Sequence, residues 1–123
     1  SENPIEQIFW IVDRLEEKQL KEPKCGGCLL GNLIVDLVEQ DPSFIDHLTQ
    51  IFSQWENALA QTLEQAKPHL QADVNPVHLA AQLITAIEGA MLMGKLHRSE
   101  ARLKRGFDVA RQILQGALKS KVI

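Results

Sequence analysis

A chain of 123 residues, 45% hydrophobic and 24% charged, has the composition of one folded domain, which excludes a disordered segment, and it is long enough to bury roughly two-thirds of its unfolded surface. Its net charge of −3 divides unevenly, −9 over residues 1–94 and +6 over residues 95–123. No apolar run is expected to reach the ~18 residues of a membrane span, no secretory leader opens the chain, and two cysteines separated by two glycines lie too close to staple a fold, so a cytoplasmic setting is expected.

Asn3-Pro4-x-Glu6 is a helix start, with a capping side chain, a proline suited to the first turn and an acid to follow. Ile5, Ile8, Phe9, Val12 and Leu15 then repeat at helical spacing, and this first helix should run to about Gln19. A charged link and the flexible Cys25-Gly26-Gly27 turn lead to a short, very apolar second helix. It begins at Cys28 and carries Leu29, Leu30, Leu33, Ile34, Val35, Leu37 and Val38. Asp41-Pro42 ends it and caps the third, whose stripe of Phe44, Ile45, Leu48, Ile51, Phe52, Trp55, Leu59, Leu63 and Ala66 lasts about six turns. Residues 67–74 form a polar connector.

Asn75-Pro76 caps the fourth helix, in which apolar residues fall on nearly every side. Between residues 77 and 96 the strongly polar side chains are His78, Gln82, Glu88 and Lys95. Ser99 caps the fifth, built on Leu103, Phe107, Ala110, Ile113, Leu114, Ala117 and Leu118. Two helices joined by so short a break pack antiparallel. Small residues at 80, 81, 86, 89, 90 and 94 favour close helix approach. One side of this hairpin is therefore expected to meet a twin subunit, with Ala80, Ile84, Ile87, Met91, Phe107, Ala110 and Leu114 at the contact. No segment alternates with period two, so the expected fold is all-α: a five-helix bundle whose last two helices make a dimeric four-helix bundle. The basic residues Arg98, Arg102, Lys104, Arg105 and Arg111 are read as solvating the outer face of the last helix. No aromatic residues interleave them as a nucleic-acid surface would require.

Taken together, Gly27-Cys28-Leu29-Leu30-Gly31-Asn32-Leu33, then Asp41-Pro42, a long helix with Trp55, and Ile87-Glu88-Gly89-Ala90-Met91-Leu92 leading to Leu96-His97-Arg98-Ser99 resemble the C-terminal region of TetR-type bacterial transcriptional regulators. The resemblance covers almost the whole chain in order. It implies a domain, residues 1–123, that binds a small-molecule effector and forms a homodimer through its last two helices. It also implies that DNA is reached only through an N-terminal helix-turn-helix, which this sequence does not contain. Some regulators of this type sense electrophiles or oxidants through a cysteine in a Gly-Cys-Leu context, which makes Cys28 a sensing candidate beside Cys25.

The residues themselves supply candidates for a mostly apolar cavity: Trp10, Phe52, Trp55 and Met91 as large or soft side chains, a type that more often serves as plain core, and Leu33 beside them. Glu88 and Lys95, two turns apart on one face, would be polar anchors or an ordinary ion pair. A thiol at a helix start is activated by the helix dipole, and a nearby Lys95 would activate it further; a small buried core cysteine is the alternative. One cysteine pair and four scattered histidines (His47, His69, His78, His97) do not make a zinc site. No cofactor, metal, membrane contact or nucleophile–base pair is expected, so the chain is not read as an enzyme. The rival readings are a redox protein cycling Cys25 and Cys28, and a dimerisation module without a ligand.

Overall fold

The structure, a computed structural model, describes residues 3–22, 27–28 and 42–119. Among them run four α-helices: α1 (Pro4–Lys21), α2 (Pro42–Gln65), α3 (Pro76–His97) and α4 (Glu100–Gly116), with a 3-10 turn at Lys67–His69. No strand occurs among the described residues, and the all-α expectation holds. The expected second helix begins at Cys28, and its continuation through residues 29–41 lies outside the described residues. Cys25, Leu33 and the Asp41 cap lie outside them too.

The caps form as their side-chain chemistry requires. Asn3 Oδ1 accepts from the Ile5 amide at 2.9 Å, and Asn75 Oδ1 accepts from the amides of Val77 at 2.9 Å and His78 at 3.3 Å. Between α3 and α4 the chain reverses in two residues. Arg98 adopts the left-handed conformation (φ 49°) as C-cap, and the Ser99 amide reaches back to Gly94 O at 3.1 Å. The Ser99 hydroxyl then accepts from the Arg102 amide at 3.2 Å and starts α4.

That reversal lays α3 and α4 side by side, and their pairing is the most extensive in the domain. It depends on two missing side chains. A Cβ at Gly106 would stand 2.4 Å from Ala90 Cβ and 2.6 Å from Ala90 Cα, and one at Gly94 would stand 2.9 Å from Leu103 Cδ1. The small residues thus bring together two helices of the same chain, where the sequence suggested a neighbouring subunit.

Two clusters make the core. Ile5 and Ile8 of α1, Leu63 and Ala66 of α2, Leu79, Ala80 and Leu83 of α3 and Leu114 of α4 form one. Val12 of α1, Ile87, Ala90 and Met91 of α3, and Leu103, Phe107 and Ala110 of α4 form the other. The expected dimer contacts are corrected here. Ala80, Phe107, Ala110 and Leu114 are fully buried inside one chain, as nearly are Ile87 and Met91, and Ile84 is half-buried. The six buried ones hold the domain together. The large exposed hydrophobic side chains of the hairpin are Val77, Leu92, Leu96 and Val109.

Two further expectations change. Pro76–His97 is long enough and apolar enough to cross a membrane by length and composition, contrary to the expectation that no run reaches that length. Its Leu79, Leu83, Ile87, Ala90 and Met91 are packed in the core, as befits the central helix of a bundle. Arg111, expected on the solvated outer face, is largely covered. Its guanidinium joins Asp13 and Glu16 of α1, at 2.8 and 2.7 Å, and Asp108 one turn back at 2.8 Å. Burial works against that charge, but hydrogen bonds and attraction from Glu16 and Asp13 outweigh it and hold the group protonated beyond its ordinary range. Arg111 therefore clamps α1 to α4.

Adding one methyl at the tightest point should be enough to force the hairpin apart. Gly106→Ala is expected to lower unfolding stability by about 1–3 kcal/mol in chemical denaturation, despite the better helix propensity of alanine. Gly116→Ala, where a Cβ meets nothing within 4 Å, should lack that penalty.

Candidate functional site

Between α1, α2 and α3 lies a cavity of about 900 Å³. Each wall follows from a helix presenting a second apolar face beside its core face. From α1 come Ile8, Ile11, Leu15, Lys18, Gln19 and Glu22; from α2, Trp55, Ala58, Leu59 and Thr62; from α3, Ile84, Ile87, Glu88 and Met91, with Gly27 and Cys28 joining them. The wall is predominantly apolar. Thr62 does little to change this, because its hydroxyl donates to Ala58 O of its own helix at 3.2 Å.

The polar groups gather around residues 27 and 28. Gln19 is buried, and its side-chain amide is doubly committed: Nε2 donates to Gly27 O at 3.2 Å, and Oε1 accepts from the Gly27 amide at 3.0 Å. Gly27 has φ 83°, a backbone conformation that suits glycine. This clip holds the next residue, Cys28, half-buried in the wall and outside any disulfide. The Cys28 thiol hydrogen-bonds the Glu88 carboxylate. Burial raises the Glu88 carboxyl above its ordinary 4.5, and the thiol's hydrogen bond pulls it partly back.

Of the residues singled out from the sequence, Trp55, Glu88, Met91 and Cys28 line this cavity. Phe52 does not line the cavity but packs edge-on against Trp55, the ring centroids 5.0 Å apart at 75°. Trp10 is not in the wall: it is 62% exposed, with the Arg14 guanidinium 5.6 Å over its ring. Residue 10 follows the core-facing Ile8 and Phe9 and points off the domain, which size alone does not reveal. Lys95 is exposed and lies outside the wall, whereas the Glu88 carboxylate hydrogen-bonds the Cys28 thiol. Gln19, Leu15 and Ile11 also line the cavity, and no expectation from the sequence includes them. Gln19 continues the inward run Ile8-Val12-Leu15 by four residues, and that spacing was the available signal.

Residues 4–110 match the family described as tetracyclin repressor-like, C-terminal domain. The chain belongs to this family of TetR-type transcriptional regulators. It is 26% identical over 108 residues, 88% of its length, to an uncharacterised HTH-type transcriptional regulator in the lacX 3′ region of Lactococcus lactis subsp. lactis, covering 54% of that protein. It superposes on the crystal structure of regulatory protein TetR from Rhodobacter sphaeroides with a TM-score of 0.80 and 25% identity, over 90% of this chain and 60% of that one. This TetR-type domain thus spans just over half the length of the relatives it matches.

The Glu88 carboxyl makes stability depend on pH with a definite sign. A carboxyl raised on folding binds its proton more tightly in the folded state, so its contribution is full below the ordinary 4.5 and is lost as pH rises through the folded value. Glu88→Gln removes the buried charge. Thermal unfolding should therefore show a higher Tm for the variant at pH 7.5, with the difference closing as pH falls toward 4.5.

Proposed function

We propose that this domain binds a small, mostly apolar effector in the α1–α2–α3 cavity and, as a homodimer, controls DNA binding by a helix-turn-helix part that precedes it in the whole regulator. The observation that carries the reading is the cavity itself. Its size lies within the range of small-molecule sites, and its apolar wall meets a few convergent polar groups at Gln19, Cys28 and Glu88. An effector acts by preferring one arrangement of α1 and α2 over another, and the shift it can impose is limited to that difference in affinity.

Dimerisation is assigned to the outer face of the hairpin. Ala81, Thr85, Gly89, Leu92 and Leu96 recur there at helical spacing on the side of α3 turned from the core, and a Cβ at Gly89 would meet nothing within 4 Å. Val109 is the large exposed hydrophobic residue of α4. A second reading, capture of an electrophile by Cys28, has one observation in its favour: the thiol lies in the cavity wall.

Two measurements test the proposal. In a Trp10→Phe background Trp55 is the sole tryptophan, and an apolar aromatic compound that raises the melting temperature should also quench its emission; a screen giving neither effect would remove the effector reading. Sedimentation should find a dimer at micromolar concentration, converted to a folded monomer by Leu96→Glu with Val109→Glu. A well-folded lone protomer of the unsubstituted chain would remove the dimer.

A further inference from the structure

The charged groups of the cavity carry more information than its apolar lining. Among the described residues of the wall, Lys18 of α1 and its C-cap Glu22 contribute opposite charges, α2 contributes no ionisable side chain, and α3 contributes Glu88. Among the described residues, no lysine, arginine or histidine forms an ion pair with Glu88. It hydrogen-bonds the thiol of Cys28. Among the described residues the wall therefore carries one net negative charge, placed by Glu88 on the central helix beside Ile84, Ile87 and Met91.

We propose that the effector is an apolar molecule carrying a positive charge, an amine or quaternary ammonium on a hydrophobic body, with Glu88 as its counter-charge. This inference rests on the effector-binding reading above and names the ligand class for the same cavity. The physics separates the three kinds of apolar ligand. A neutral molecule that fills the cavity strips water from the Glu88 carboxylate and offers nothing in its place. An anionic molecule adds like-charge repulsion at short range. A cationic one replaces the lost hydration with a direct ion pair in a poorly screened setting, where such a pair is strongest. Trp55 adds to the preference, since its ring can take either the flat body of the ligand or its charge.

Three probes with one carbon skeleton test this on the whole chain: (2-naphthylmethyl)ammonium, 2-naphthylmethanol and 2-naphthoate, titrated calorimetrically at pH 7.5 and low salt. The ammonium should bind at least ~10-fold more tightly than the alcohol, and the carboxylate most weakly. In Glu88→Gln the advantage of the ammonium over the alcohol should shrink to within about 2-fold, with the alcohol's own affinity retained. Equal affinities in the unsubstituted chain, a preference for the carboxylate, or a preference for the ammonium that survives in folded Glu88→Gln would each overturn the charge assignment while leaving an occupied cavity. Absence of binding by all three would overturn the charge assignment together with the effector-site reading beneath it. Should Glu88→Gln fail to fold, the ranking of the three probes on the unsubstituted chain decides alone.

Discussion

The architecture depends on α3 and α4 touching almost backbone to backbone. Where Gly106 meets Ala90 and Gly94 meets Leu103, there is no space for another carbon atom. That contact fixes the central helix against the last one and so determines what each remaining face of α3 can do. One face lies in the two core clusters with α1, α2 and α4. The next, at Ile84, Ile87, Glu88 and Met91, looks into the cavity. The third, through Thr85, Leu92 and Leu96, is turned from the core and is the face proposed above to meet a second copy. A helix with three occupations must be apolar on nearly all sides, and this explains why α3 has the composition of a membrane span while serving as the axis of a bundle.

That same composition limited what could be read in advance. Capping residues announced the helices, because Asn3, Asn75 and Ser99 act through local chemistry that needs no tertiary context. The class of fold and the family resemblance were legible for similar reasons. The orientation of α3 was not. With apolar residues at both 80, 84 and 87 and one step further along, periodicity cannot tell the inward face from the outward one. A choice displaced by one residue turns the helix by about 100°. The expected dimer face fell on the core in this way. The cavity was half legible: Trp55, Glu88 and Met91 stood out as unusual residues, but Gln19 mattered through what it bonds, and Trp10 looked important through size alone.

Charge was misleading in a similar manner. A basic C-terminal segment reads as a solvated face when counted along the chain, yet Arg111 reaches back nearly a hundred residues to Asp13 and Glu16. The opposite signs of the two halves of the chain meet at that point. Glu88 is the converse case: an acid on an apolar helix has no partner visible in the sequence, and in the folded domain its neighbour is a thiol held in place by an amide side chain on another helix. Both groups owe their properties to elements far apart in the chain.

The end of α4 is stitched to the connector that follows α2. The Gln71 side-chain amide donates to the carbonyls of Gly116 and Leu118, the Gln71 backbone amide donates to Ala117 O, and the Lys119 amide donates to His69 O. These bonds close the chain over Leu70, which is almost completely buried. The stretch that matches the family ends at residue 110, short of both this seam and the Arg111 clamp. A minimal autonomous unit trimmed to the family boundary would thus lose the acceptors for Gln71, uncover an interior leucine and free α1 from its cation, so the cooperative folding unit reaches at least to Lys119.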